Sequence, residues 1–323
     1  MKQGQLGAAL LLSLVVVTVV SSVAATMVWQ HWRSVQSESA ERARSQAHWI
    51  LMGALDWGRL ILREDARGSQ IDHLGEPWAV PLQEARLSTF LTDGREGLDD
   101  VPALQAFVSG SVVDAQSRLN LRNLVVNGVA STPALLALQR VCEAAGLPGS
   151  TADRIAQGAQ RSWLRRGGES SSPEGGALLA PERLSDLVWW GLTPDEIERL
   201  RPWAILLPVA TPLNVNTATV ELLAVMIPGA DRAAAQRLAQ ARSQSPFRSI
   251  DQALALLPPD GRPNRGEGLS VQSSFFELNG RLRLGSRQYS ERLLVERRQA
   301  EVLVLHRERP LAQASNFGSL AVP

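Results

Sequence analysis

The sequence of 323 residues has few of the groups that most often carry catalysis or bind metals. It has one cysteine, Cys142, so no disulfide can form within the chain, and its helical context predicts a small apolar core residue. None of the four histidines pairs with another at metal-ligand spacing, and phosphate-binding loops, HExxH zinc motifs and nucleophile elbows are absent. The net charge of +1 excludes a strong general attraction to polyanions. We therefore predict that the protein is not an enzyme and needs no cofactor.

Charge is also missing from the amino-terminal region, where Lys2 is followed by no charged residue until Arg33. Residues 8–29 are apolar or small and hydroxylic, and as a helix they would extend about 33 Å, enough to cross a membrane core of about 30 Å. A secretory signal cleaved after Ser22-Val23-Ala24 is the alternative. Against it, the apolar run is long for a signal, and helical character continues beyond the cleavage site.

Beyond this run the chain keeps a helical pattern, with no proline and with no glycine before Gly53. Apolar residues recur at steps of three and four from Ala43 to Ile61, with Arg, Glu and Gln between them. The pattern predicts one spine helix over residues 8–62. Its first part, residues 8–29, would lie in a membrane, and its second part would pack on a globular domain.

The remainder of the chain divides by its periodicity. Residues 269–323 alternate apolar and polar side chains, which predicts antiparallel strands, and Asn279-Gly280 is a strong signal for a two-residue hairpin turn. Residues 63–119 would supply the first half of the same α/β unit, and residues 120–268 are predicted to be helical. The sequence thus predicts an α+β, pilin-like fold, in which a long amino-terminal helix packs on an antiparallel sheet that a large all-α insertion domain interrupts.

Residues 211–257 of this insertion resemble a helix-hairpin-helix module, including the N-x-N-T-A entry found in DNA-uptake and repair proteins. In such modules, small hairpin residues let backbone amides bind a phosphate. Here the hairpin reads IPGAD, Asp231 would repel a phosphate, and arginines and acidic residues balance over residues 211–260. Because affinity for a polyanion comes mainly from neutralising its charge, we predict a structural or protein-contact role and no nucleic-acid partner. A membrane-anchored nucleic-acid-binding protein of the DNA-uptake kind is the alternative.

Several stretches taken together resemble the GspK family, the minor pseudopilins K of the type II secretion system. They are GQLG followed by AALLLSLVVV, SQAHWILMGA, LGEPWA, VSGSVVDAQSRLNLRNL, TPLNVNTATVELL and VQSSFFELNGRLRLG. The resemblance implies that a prepilin peptidase removes residues 1–7 as a leader by cutting between Gly7 and Ala8, and that Ala8 becomes N-methylated. It also implies a single-pass inner-membrane protein whose carboxyl-terminal domain is in the periplasm.

The resemblance further implies a position at the tip of a periplasmic pseudopilus, where the protein would initiate or cap assembly for protein export across the outer membrane. The implied partners are minor pseudopilins of the I, J and H types, the major pseudopilin, the prepilin peptidase, the inner-membrane assembly platform and membrane lipid. Most pseudopilins carry glutamate at the fifth mature position, which is Leu12 here. Since a buried unpaired carboxylate is costly, its absence suits a subunit with no pseudopilin above it.

Family members often carry an acidic stretch that is associated with calcium. At the matching place this chain has Arg165 and Arg166, which would oppose a cation. Calcium usually takes six to eight oxygen ligands, several of them carboxylates. The acidic residues that could still supply such ligands are Glu169, Glu174, Glu182 and Asp186.

Overall fold

The longest element is a single amino-terminal helix. The computed structural model describes residues 5–87, 106–163, 180–227, 229–257, 267–285 and 287–309, with residues 5–8 described by their backbone alone. Helix α1 runs from Gln5 to Gly68, so the predicted end at residue 62 is too early. The residues after 62 extend the helix, and within them Arg67 pairs with Glu64 one turn earlier at 2.9 Å.

The sheet is built from both ends of the chain. The described strands are β1 (Leu82–Arg86), β2 (Ala106–Asp114), β3 (Leu119–Asn120), β4 (Val125–Val126), β5 (Val129–Ala130), β6 (Ala204–Ile205), β7 (Leu213–Asn214), β8 (Leu269–Ser270), β9 (Phe275–Leu284), β10 (Arg287–Arg298) and β11 (Glu301–Glu308). Five of them form an antiparallel sheet in the order β1-β2-β9-β10-β11. The short strands pair as β3–β6 and β7–β8, both parallel, and as β4–β5, antiparallel. A meander over the carboxyl-terminal residues is therefore confirmed.

Helix α1 covers one face of this sheet with its second half. Ala47 and Leu51 pack with Ala106, Val108 and Leu282 at one end of the sheet. The next turns pack at the other end through a second cluster, which contains Leu55, Leu62, Trp78, Phe276, Leu278, Leu293, Val295 and Val302. The helix therefore crosses the sheet along the strands, and its last turns reach the end where β2 finishes and β9 begins.

The hairpin predicted at Asn279-Gly280 is wrong. Both residues lie in the middle of β9, where Gly280 is paired with Gly110 of β2. A Cβ atom at Gly280 would lie 3.1 Å from a methyl carbon of Leu51 and 3.3 Å from the side chain of Leu55. The glycine therefore lets α1 approach the sheet closely, which is a tertiary requirement that a local turn signal does not reveal. The strand reverses after Leu284 instead.

Helices are the main regular structure of the described chain between β2 and β9. The insertion is nevertheless not the all-α domain that the sequence predicted, because the two-residue strands β4 to β7 lie within it. The α-helices of the described residues in this part are α2 (Thr132–Ala144), α3 (Gly149–Trp163), α4 (Pro194–Leu200), α5 (Val220–Met226), α6 (Arg232–Gln244) and α7 (Ile250–Ala255). Short 3₁₀ helices lie at Pro77–Ala79, Ala115–Ser117, Leu121–Leu124 and Leu184–Trp190. We call the described residues from 115 to 274 the helical domain. Its core is one continuous apolar cluster that contains Cys142, which is buried as predicted, and burial raises the pKa of the thiol to about 11.

Candidate functional site

The first part of α1 has an apolar surface with nothing packed on it. One helix of the described residues, Ala9–Gly68, is long and apolar enough to cross a membrane by length and composition. We call residues 9–28 the apolar arm, and its side chains are exposed throughout. Hydroxyls within it donate to carbonyls of the same helix, as when Ser13 bonds to Leu10 and Thr18 to Val15, each at 2.8 Å. Such a surface suits lipid or other apolar helices, because these hydroxyls are already satisfied.

The predicted leader cleavage site lies at the start of this helix. Gly7 and Ala8 belong to the first turn of α1, and cleavage between them and methylation of Ala8 stay predictions. Leu12, the position at which the predicted resemblance would lead us to expect glutamate, is 67% exposed on the arm. The arm therefore presents an aliphatic side chain at this position.

A buried polar junction joins the helical domain to the sheet. We define it as Asp114, Asn214, Thr217 and Ser273, all of them buried. Oδ2 of Asp114 accepts hydrogen bonds from the hydroxyls of Thr217 (2.5 Å) and Ser273 (2.6 Å) and from the Asn214 amide (3.0 Å). Its Oδ1 accepts a bond from the backbone N–H of Gln116 at 2.7 Å. Burial raises the pKa of Asp114 to about 6, although these hydrogen bonds favour the charged form and oppose the rise.

The junction explains the N-x-N-T-A segment in structural terms. Asn214 also donates to the backbone carbonyl of Asp72 at 3.1 Å, and Asn216 forms two hydrogen bonds of 3.0 Å with the backbone of Phe247. The polar residues of the segment thus point inward. Asp114 is the last residue of β2, and the sequence alone did not indicate that these segments meet. The signal in the sequence that could have predicted a buried polar junction is the run of short polar side chains inside the apolar segment TPLNVNTATVELL.

Next to the junction lies an acidic cluster, which we define as Asp65, Asp72 and Glu76. One carboxylate oxygen from each lies within 4.8 Å of the others. Arg297 donates to Asp65 at 3.0 Å and to Asp72 at 2.5 Å. Burial, and then the charge of Glu76, raise the pKa of Asp65 to about 6, whereas Arg297 lowers it. Burial likewise raises the pKa of Asp72, against the opposing charge of Arg297.

Three carboxylates this close together could hold a cation, but the guanidinium of Arg297 already contacts two of them. We therefore interpret the cluster as an ion-pair network that ties the end of α1 to β10. Glu76 is held by bonds to its Oε2 from the indole N–H of Trp78 (2.8 Å) and the backbone N–H of His73 (3.0 Å). This network stabilises the loop after α1 against the sheet.

The predicted calcium ligands are not brought together by the described part of the chain. Glu169 and Glu174 lie outside the described residues. Oδ2 of Asp186 accepts the backbone N–H groups of Glu182 (3.1 Å) and Arg183 (3.0 Å) and so begins the 3₁₀ helix Leu184–Trp190. Within the described residues, Glu182 and Asp186 belong to no group of three potential metal ligands. Calcium binding stays a prediction.

In the helix-hairpin-helix-like segment, a backbone amide at the start of the second helix, where a phosphate would bind, already donates to a side chain of the protein. Helices α5 and α6 flank the turn, as predicted, and Gly229 adopts a left-handed φ of +75°. The Asp231 carboxylate accepts the backbone N–H of Ala234 at 2.7 Å, which caps α6. A phosphate bound at this helix end would displace that carboxylate and meet its charge. The absence of a nucleic-acid partner stays a prediction, and this geometry gives it a physical reason.

Comparisons with known proteins agree with the architecture. A family model described as "Type II secretion system (T2SS), protein K" matches residues 213–272. A protein named Type II secretion system protein K from Pseudomonas aeruginosa is 26% identical over 100% of this chain and 96% of its own length. A protein of the same name from Pectobacterium carotovorum is also 26% identical, over 95% of this chain and 97% of its own length.

A solved structure has the same fold. It belongs to the GspK-GspI-GspJ complex of the type 2 secretion system from enterotoxigenic Escherichia coli. The match has a TM-score of 0.61 at 20% identity and covers 84% of this chain and 99% of the other. The predicted resemblance and the predicted α+β, pilin-like fold are both confirmed.

Proposed function

We propose that this chain, which resembles type II secretion system protein K over its whole length, is a membrane-anchored minor pseudopilin that stands at the tip of a pseudopilus. The observation that carries the tip position is the place where the helical domain is attached. Among the side chains of α1 that the structure describes, from residue 9 onward, the first buried one is Ala47, and the packing on the sheet extends to Leu62. The acidic cluster follows, and Ile71 packs on the core of the helical domain. The helical domain therefore lies at the end of the fold opposite the apolar arm.

This placement has a consequence for a filament of parallel spine helices. If the arms point towards the inner membrane, the helical domain of this subunit projects from the distal end, where a further subunit would have to be added. Its bulk would block that addition and leave the subunit at the tip. Leu12 supports the same position, because a terminal subunit needs no carboxylate to pair with the amine of a neighbour above it.

The proposed neighbours are minor pseudopilins of the I and J types, by analogy with the complex named above. The side of α1 that faces away from the sheet offers a surface for them, since Trp49 is 67% exposed, Trp57 is 51% exposed and Leu60 is 41% exposed. Monomeric proteins rarely expose several large apolar side chains on one side of a helix, and such a surface usually marks a contact with another molecule. We extend the proposal to the H type, the major pseudopilin and the assembly platform on the family resemblance alone.

A direct test of the tip position is to label the helical domain in assembled filaments. Leu136 on α2 is 47% exposed, so Leu136→Cys offers a reactive thiol, whereas buried Cys142 does not. Maleimide-gold should then appear at one end of each isolated pseudopilus, and the unsubstituted chain should remain unlabelled. Gold distributed along the shaft would contradict the proposal.

The amino terminus of the mature protein tests the anchor and the processing. Mass spectrometry of the protein from membranes should find a chain that begins at methylated Ala8. A chain beginning near Thr26 would instead indicate a discarded signal and would remove the basis for a membrane anchor. The role proposed is structural, and no catalytic activity is expected of it.

A further inference from the structure

Immediately after the apolar arm, α1 carries two tryptophans and the first charged residue since Lys2. We name Trp29, Trp32 and Arg33 the interface triad. Trp29 is 57% exposed and Trp32 is 59% exposed, and their spacing of three residues makes them neighbours on the helix surface. The guanidinium carbon of Arg33 lies 4.8 Å from the centroid of a Trp29 ring. The three side chains therefore form one aromatic and cationic patch.

We propose that the interface triad binds the headgroup region of a phospholipid bilayer and fixes how far α1 emerges from the membrane. The inference rests on the membrane anchor of the proposed function and goes beyond it by naming the residues that set the depth. As a helix, residues 9–28 extend about 30 Å, which is the thickness of the hydrocarbon core. With the arm spanning that core, both indoles reach the boundary, where tryptophan is enriched in membrane proteins.

The chemistry of the triad fits that boundary. An indole has a large apolar body and a single N–H donor, so it is stable where one side is lipid and the other is wet. Arg33 can form charge-assisted hydrogen bonds with lipid phosphate oxygens and can still stack on Trp29. A site for free phosphate would need polar walls, whereas the patch continues directly into the apolar arm.

The segment after the triad explains why insertion would stop there. Residues 34–46, which we name the neck, are mostly polar, and no described side chain from residue 9 to residue 46 is buried. Charged side chains of the neck pair along the helix, as in Glu38–Arg42 at 2.5 Å. The first buried residue is Ala47, and 14 helical steps separate it from Arg33, or about 21 Å. The globular head would therefore stand about 20 Å away from the bilayer surface.

Spin-label accessibility can locate the boundary in the full chain. Thr26→Cys, Ser34→Cys, Ser37→Cys and Ser45→Cys would each be labelled and reconstituted in vesicles of phosphatidylethanolamine and phosphatidylglycerol. Cys142 should stay unlabelled because it is buried and its thiol pKa is raised to about 11. We expect the label at residue 26 to be accessible to oxygen and those at residues 37 and 45 to an aqueous nickel chelate. The crossover should fall between residues 28 and 34.

The triad itself is tested by Trp29→Ala combined with Trp32→Ala and Arg33→Gln. This variant should shift the crossover by about one helical turn, or roughly 5 Å. The matched control is Trp49→Ala, which removes an exposed tryptophan of the same helix beyond the neck and should leave the crossover in place. A crossover within the neck, or one that does not move in the triad variant, would overturn the inference while the anchor stands. Loss of the unsubstituted chain from the vesicles would overturn the anchor as well.

Discussion

Gly158 of α3 is a position where one added methyl group should test the packing of the helical domain. A Cβ atom there would lie 2.3 Å from Cδ2 and 2.4 Å from Cγ of Trp190. The indole cannot move freely, because it packs edge-on against Trp163 with ring centroids 5.3 Å apart and donates to Ser162 at 3.2 Å. Since carbon atoms normally approach to about 3.5–4 Å, Gly158→Ala must displace the buried ring by more than about 1 Å.

The magnitude follows from three contributions. Overpacking a core costs about 1–3 kcal/mol, and the indole hydrogen bond, if it is lost, costs about 1 kcal/mol more. Replacing glycine by alanine in a helix returns up to about 1 kcal/mol. We therefore expect Gly158→Ala to lower the free energy of unfolding by about 2 kcal/mol. Urea unfolding of the full chain in detergent, followed by near-ultraviolet circular dichroism, measures this.

The chain provides a matched control. Gly53 also lies inside a helix, but a Cβ atom there would have no neighbouring atom within 4 Å, so Gly53→Ala should be neutral or stabilising. In a Trp190→Leu background, Gly158→Ala should lose most of its cost, which gives a coupling energy of at least about 1 kcal/mol. The packing argument is refuted if Gly158→Ala behaves like Gly53→Ala, or if its cost is the same in both backgrounds.

Three further predictions concern other parts of the fold. Gly280→Leu should destabilise α1 against the sheet by more than about 2 kcal/mol, as measured by urea unfolding, because its side chain would collide with Leu51 and Leu55. The carboxyls of Asp65 and Asp114 have folded-state pKa values of about 6, above the unfolded value of about 4, so the free energy of unfolding should fall as pH rises from about 5 to 7. Glu196, whose pKa is lowered to about 2, contributes stability that is present throughout that window and is lost only as pH falls below it. Unfolding at several pH values checks this, and a rise over that window would contradict it. Asp231→Ala should lower the free energy of unfolding by about 1 kcal/mol, because it removes the cap of α6. Urea unfolding measures this, and Asp195→Ala, which changes an exposed aspartate that forms no such cap bond, is the comparison.

The sequence by itself determined the elements whose signal is local. A run of apolar residues without charge predicts a membrane-crossing helix because lipid tolerates little else, and periodicities of 3.6 and 2 distinguish the spine helix from the carboxyl-terminal strands. Helix starts follow from single side chains, and Ser131 caps α2 by accepting the N–H of Ala134.

Tertiary structure alone decided the features that join distant segments. Gly280 is locally a turn residue, but the approach of Leu51 and Leu55 places it inside a strand. The polar junction depends on four side chains that lie as many as 159 residues apart, and no local pattern specifies such a meeting. The spine helix continues past the predicted end at residue 62, where its charged residues have partners both along the helix and in β10. In each case a long-range contact outweighs a local preference of about 1 kcal/mol.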